Sequence, residues 1–415
     1  MQAYLTDALE LAIRLLHFTA GIAWIGSSFY FVWLDNSLDK PPQWKAEQGV
    51  KGDLWSVHGG GFYEIAKYQV APAAMPDKLH WFKWEAYTTW ISGFLLLTLV
   101  YYVGADLYLA DRSKSDLLTS VLIGLGIGSI ILAWLVYDAL CKTTLVDSGL
   151  AFAVVMLGMI GLWAYALEQV FSDRAAYLHV GAAIGTCMVA NVFFVIIPNQ
   201  KKTVAAMLAG DTPDPALGKE AKQRSTHNNY ATLPILFLMI SHHYPATYGY
   251  TLQGLSAGWL ILVILAAIGM WIRHFFNLRH QGEFKPMVLG SGIAAFFVLV
   301  LVTAPWPETT TINTNMVDNQ TAGSVNDQNR RPVISDTDAL TIVTTHCQSC
   351  HAVNPTAGFT AAPAGVVLET LADVQQYKDQ IYAQSVVSQA MPLGNLTQMT
   401  NEERMQLGQW IEQLP

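Results

Sequence analysis

Apolar positions run in long, almost unbroken stretches over the first three-quarters of the chain and then stop. Eight of these stretches are long enough, or nearly so, to cross about 30 Å of hydrocarbon as helices: residues 9–34, 84–109, 117–138, 148–171, 176–198, 229–245, 255–276 and 286–304. The sixth is short and interrupted by Pro234. The first is too long for a signal peptide and lacks a basic leading region or a small-residue cleavage site. After Pro305-Trp306-Pro307 the pattern changes abruptly, and residues 307–332 are mostly Thr, Asn, Asp and Gln, the composition of a polar tether. Residues 333–415 are long enough for one small soluble domain. Its first helix is expected near 336–346 and its last near 400–414, where Thr400 and Glu403 form a capping box. Met405, Trp410 and Ile411 supply the apolar face of that last helix. The pattern therefore predicts an all-α protein, a polytopic membrane helix bundle over 1–306 followed by a tether and a small domain.

Composition supports the bilayer as a partner. Of 415 residues, 52% are hydrophobic and 13% charged, against about 25% charged in ordinary soluble domains. The net charge of −8 argues against nucleic acid. Four cysteines give no disulfide framework. The connections after spans 1, 3, 5 and 7 carry far more Lys and Arg than those after spans 2, 4 and 6. Lys40, Lys45, Lys51, Lys67, Lys78 and Lys83 all lie in the first of them. By the positive-inside rule those connections face the cytoplasm, which puts both termini and the C-terminal domain outside a bacterial inner membrane.

One motif in that domain is specific. Thr345-His346-Cys347-Gln348-Ser349-Cys350-His351 contains Cys-x-x-Cys-His, the attachment signature of a c-type haem. Cys347 and Cys350 would form the two thioether bonds and His351 would be the proximal iron ligand. No second Cys-x-x-Cys exists to complete a zinc site, and Cys141 and Cys187 stand alone in apolar runs. For the distal ligand, Met391 precedes Pro392 in an irregular segment forty residues on, and a thioether on a stiff backbone suits that task. Met399 and Met405 are its rivals.

Ionisable groups inside spans are functional candidates because burying them in lipid is costly. His17 and His179 share similar flanks at an offset of 162, Leu16-His17-x-x-Ala20-x-Ile22 and Leu178-His179-x-x-Ala182-x-Ile184, in keeping with a four-plus-four helix repeat. They are candidates for a b-type haem or another metal centre; the plainer reading is histidines bonded to neighbouring helices. At the cytoplasmic ends a second polar set contains His80, Lys83 and Glu85 at span 2 and His227 and Asn228 at span 6. Such groups suit a flat, hydrogen-bonding anion, or form ordinary interfacial polarity beside an aromatic belt. The long connection before span 2 holds Gly59-Gly60-Gly61, which either lets backbone approach a ligand or makes a turn.

Taken together, Leu16 to Gly26, His80 to Tyr87, His227-Asn228-Asn229-Tyr230, His242-His243-Tyr244-Pro245 and Cys347 to His351 resemble the integral-membrane urate hydroxylases, in which a urate oxidase membrane domain is fused to a cytochrome c. That resemblance implies oxidation of urate to 5-hydroxyisourate, with electrons leaving through the c-type haem to a soluble cytochrome c or terminal oxidase and no peroxide as product. On this reading His80, Glu85 or His227 takes a proton from urate, and Lys83 or Asn228 orients it. A substrate at the cytoplasmic rim is roughly 30 Å from an outer haem, which is why an intramembrane relay through His17 and His179 is of interest. Two other classes fit the same chain: a quinol-to-cytochrome c conduit and a transporter with a regulatory haem domain.

Overall fold

The computed structural model describes residues 2–69, 72, 75–252, 255–304, 334–359 and 361–414. It divides into two compact units, Met1–Ile293 and Ala294–Pro415. The tether expected at 307–332 lies outside the described residues.

The first unit is built from helices α1 (Gln2–Ser37), α2 (Trp84–Val103), α3 (Thr119–Cys141), α4 (Gly149–Glu168), α5 (Asp173–Leu208), α6 (Pro215–Ile240) and α7 (Gly258–His280), with α8 (Pro286–Thr303) straddling the division. Short polar side chains set several of the starts. Ser148 caps α4 by accepting from the Ala151 N–H, Ser172 caps α5 by accepting from Ala175, and Asp214 caps α6 ahead of Pro215. Seven of the eight, all but α6, are long and apolar enough to cross a membrane, consistent with a membrane protein. This corrects the expectation of eight apolar spans. Residues 229–240 of the expected stretch form only the second half of α6, the rest lies beyond its end, and Lys219, Glu220, Lys222 and Arg224 on its first half keep the whole helix from being apolar. Helix α5 is the centre of the bundle, with most of its apolar window buried, while α1 and α8 bury almost none of theirs.

The bundle is not purely helical. Strands β1 (Val50–His58) and β2 (Gly61–Tyr68) form an antiparallel hairpin, and β3 (Thr251–Leu252) pairs with β4 (Leu255–Ser256). The first hairpin turns at Gly59 and Gly60, whose φ angles of 59° and 81° are open to glycine at no steric cost. A side chain would have nothing within 4 Å at either position, so the turn and not a close neighbour requires the glycines. Beneath the hairpin, buried Lys45 pairs with Asp53 and Glu64, and these bonds hold its ammonium above its ordinary pKa.

Two of the long helices contain a wider, π-type turn, Thr98–Val103 in α2 and Asn191–Ile196 in α5. Such turns rotate the residues that follow and recur at functional sites.

In the second unit, α9 (Asp336–His346) and α11 (Asn401–Gln413) flank the short α10 (Leu371–Gln376). Ala339, Val343, Val374, Leu407 and Trp410 form the core, and Trp410 Nε1 donates to Asp336 Oδ1 at 2.8 Å. Thr400 and Glu403 form the expected capping box. Trp410 and Ile411 are buried as expected, whereas Met405 is 58% exposed and takes no part in docking α11.

Candidate functional site

The first unit contains a cavity of about 820 Å³ bounded by α3, α4, α5, α6 and α7. Its walls are mostly apolar; its polar side chains include the Tyr230–His274 pair across α6 and α7 and a second, larger bonded set on three helices. Helix α3 supplies Tyr137, α5 supplies Asn191, and α6 supplies His227 and Asn228. Asn191 is the first residue of the π-type turn of α5 and is buried in the middle of the network.

The hydrogen bonds have a definite direction. Arg224 is fully buried; its Nη2 pairs with Asp138 Oδ1 at 2.7 Å and its Nη1 donates to Asn191 Oδ1 at 3.3 Å. Asn191 Nδ2 donates to Asn228 Oδ1 at 2.8 Å and to the Tyr137 hydroxyl at 2.9 Å. With its oxygen accepting, Tyr137 donates its own proton to His227 Nδ1, 2.9 Å away. The neutral imidazole then carries its proton on Nε2. Phe152 stacks on the His227 ring at 4.6 Å and 14° between planes, fixing its orientation. Cys141 Sγ lies 3.7 Å from the same Nδ1. Asn228 donates to Met188 O at 2.9 Å, so both ends of its amide are committed to the protein.

The network can hold a neutral histidine against a tyrosine hydroxyl at the edge of an apolar chamber and receive a proton along that bond. The sequence reading found two of its members, His227 and Asn228. It missed Tyr137, Asp138, Asn191 and Arg224, although a charged or amide side chain within an apolar run is the signal that singled out the histidines.

The other expected residues lie elsewhere. His80 is exposed, Lys83 is half-buried with its ammonium 5.7 Å from the centre of the Trp84 ring, and Glu85 is half-buried in the first turn of α2. None of the three lines the cavity. His17 donates from Nδ1 to Thr89 O at 2.9 Å and packs against Gly93 of α2. His179 donates from Nδ1 to Ala175 O at 2.8 Å, and its Nε2 accepts from the Tyr102 hydroxyl at 3.2 Å. That ring is fully buried and fills the space beside Gly126, where an added Cβ would meet its Nε2 at 2.8 Å. The two histidines touch α2 nine residues apart, at Gly93 and Tyr102, about 13 Å of helix rise. They are not brought together, and the nitrogen of His179 that an iron needs is already bonded. This donor set does not fit a b-type haem.

In the second unit the donors do fit a c-type haem. Cys347 and Cys350 are unpaired thiols on one turn closed by the His351 N–H donating to Cys347 O at 2.8 Å. Burial pushes the Cys347 thiol up to about 12. His351 donates from Nδ1 to Val366 O at 3.0 Å, which fixes the ring and leaves the Nε2 lone pair for a metal. Of the candidate distal ligands, Met399 is buried in the apolar core and Met405 is on the surface, while Met391 is half-buried. Arg404 donates to the carbonyls of Ser385 and Met391 at 2.5 and 2.6 Å, tying the Met391 segment to α11.

Fold and site define a helical protein with several long apolar helices, a mostly apolar chamber and a buried polar network at one side of it. Residues 3–304 match the family described as urate oxidase N-terminal, and the chain belongs to that family. Neither a curated protein nor a solved structure gives a match. Membership makes the chemistry urate-related and oxidoreductive.

Proposed function

We propose that the protein is a membrane-bound urate hydroxylase that oxidises urate to 5-hydroxyisourate in the chamber beside His227. The carrying observation is the directed chain from Arg224 through Asn191 and Tyr137 to His227 Nδ1, on the wall of a mostly apolar chamber within the family-matched region. A urate N–H passes its proton to the Tyr137 oxygen as the Tyr137 proton moves to Nδ1, leaving an imidazolium. The Nε2–H of His227 serves as a donor to a urate carbonyl. Overall, urate and water give 5-hydroxyisourate, two protons and two electrons. A haem c held by Cys347, Cys350, His351 and Met391 would supply a one-electron acceptor when bound, so each urate oxidised needs two haem equivalents or one haem reoxidised between the two electrons. A soluble cytochrome c or terminal oxidase then takes the electrons, and peroxide is not formed.

The domain limits that go with this reading are 1–306 for the urate oxidase part, 307–332 for a linker and 333–415 for a periplasmic cytochrome c domain. The distribution of Lys and Arg and the haem motif support the same side of the membrane for the C-terminal domain.

The test is anaerobic addition of urate to the purified protein with the haem absorption recorded. Reduction of the c band together with formation of 5-hydroxyisourate is expected. No reduction by urate, or reduction by quinol in its absence, refutes the reading. His227→Ala is expected to abolish reduction by urate while leaving the dithionite-reduced spectrum intact.

A further inference from the structure

Away from the His227 network a second cation is buried with no counter-charge. Arg273, on α7, is 4% exposed, and its guanidinium lies 4.0 Å above the Phe29 ring. Its Nε donates to Asn229 Oδ1 at 2.9 Å, but its Nη2 has no acceptor. Asn229 Nδ2 and, one turn along α7, Asn277 Oδ1 are also buried without partners. Among the described residues no carboxylate pairs with Arg273. A buried cation without a partner is strongly disfavoured, so Arg273 Nη2 is poised to donate to an acceptor that balances its charge.

The guanidinium lines a cleft of about 400 Å³ between α1, α6 and α7. Phe29, Tyr30 and Trp33 form the α1 wall, Phe276 and His280 continue the α7 wall, and Leu233 closes it from α6. Among the described residues no acidic one lines it. We propose that this cleft binds the phosphate of a bilayer phospholipid, with Arg273 Nη2 donating to a phosphate oxygen.

Three observations favour a lipid over a soluble anion, on the membrane reading given above. Arg273 is seven residues from the end of α7 and Phe29 eight from the end of α1, about 10 and 12 Å of rise. Both therefore lie near one end of the bundle, at the depth where headgroups meet acyl chains. Tyr30, 44% exposed, and Trp33 place amphipathic rings at the cleft, the residues that favour that boundary. Finally, the apolar window of α1 is unburied, so acyl chains continuing from the cleft have an apolar helix face to lie along. A basic pocket between spanning helices is a known form of headgroup site.

The experiment uses the full chain in mild detergent, with bound phospholipid counted by native mass spectrometry. Wild-type protein is expected to retain one phospholipid that Arg273→Gln lacks. Delipidated wild type is expected to gain several degrees in its unfolding midpoint on addition of phosphatidylglycerol and phosphatidylethanolamine, and Arg273→Gln to gain none. Trp33→Ala, which trims the wall and keeps the buried cation, is expected to bind lipid about tenfold more weakly. If Arg273→Gln does not fold, the wild-type titration and Trp33→Ala decide. Equal lipid retention in wild type and Arg273→Gln overturns the proposal, as does a lipid response of Trp33→Ala equal to wild type. Stabilisation by inorganic phosphate or urate equal to that by lipid overturns it too, by making the ligand a soluble anion. None of these readouts depends on urate oxidation.

Discussion

Replacing Tyr137 by Phe removes one oxygen from the centre of the network and keeps the ring. The Phe152 and Arg224 contacts of that ring, at 6.4 and 5.4 Å, survive. Two hydrogen bonds are lost, from Asn191 and to His227, both 2.9 Å long. Each contributes about 1 kcal/mol, and a buried acceptor left unmet adds about 1 kcal/mol or more. Asn191 keeps Asn228 as an acceptor, whereas His227 Nδ1 is left with only the Cys141 thiol at 3.7 Å. The expected loss of stability is therefore about 2–3 kcal/mol. The larger effect is on turnover: without the hydroxyl no proton reaches Nδ1, and loss of such a transfer costs about 10²–10⁴ in rate. Anaerobic single-turnover reduction of the haem by urate measures that rate, and dithionite gives the total reducible haem as a control. Because Tyr137 and His227 act on one proton, the Tyr137→Phe/His227→Ala pair should be no slower than the slower single variant. Wild-type rates in Tyr137→Phe, or rate losses that multiply in the double variant, refute the relay.

Three further outcomes are expected. Asp138→Ala leaves Arg224 buried without its 2.7 Å partner and should cost about 3–5 kcal/mol in unfolding free energy; a change under about 1 kcal/mol refutes the view that this pair is buried and coupled. Gly126→Ala forces a Cβ to 2.8 Å from His179 Nε2 and 3.2 Å from the Tyr102 oxygen, so it should lose about 1–3 kcal/mol. Gly124→Ala, which meets nothing within 4 Å, should instead be neutral or slightly stabilising, and equal midpoints for the two variants would contradict the packing. In the second unit, the Thr400 N–H and hydroxyl, then His346, hold the Glu403 carboxylate below its usual range. A depressed carboxylate stabilises the fold above its unfolded pKa of about 4.3. That contribution is lost as pH falls through the folded value, so Glu403→Gln should lower the near-neutral unfolding midpoint and flatten its acid side, and an unchanged pH profile counts against the cap.

How much the sequence disclosed depended on whether a feature was local. Helix positions followed from runs of apolar residues, and the last helix was legible to within a residue because its cap, Thr400 with Glu403, spans only four residues. The start of α6 was hidden by its charges, yet Asp214-Pro215 is a local start signal of the same kind. A hydropathy pattern has no place for a helix whose charged first half is largely exposed and whose buried polar groups further on meet other helices. The network was hidden for the same reason. Tyr137, Asn191 and His227 are 54 and 36 positions apart and meet only when α3, α5 and α6 pack. The matched flanks of His17 and His179 show the opposite error. His17 bonds across to α2, while His179 bonds to its own helix and takes Tyr102 as its second partner. Similar neighbours in sequence therefore gave different neighbours in space, and the ring that looked like half of a haem site is saturated. What separates His179 from His227 is the unused nitrogen: both accept a hydrogen bond from a tyrosine, and His227 also lines a chamber of about 820 Å³ that can admit a substrate.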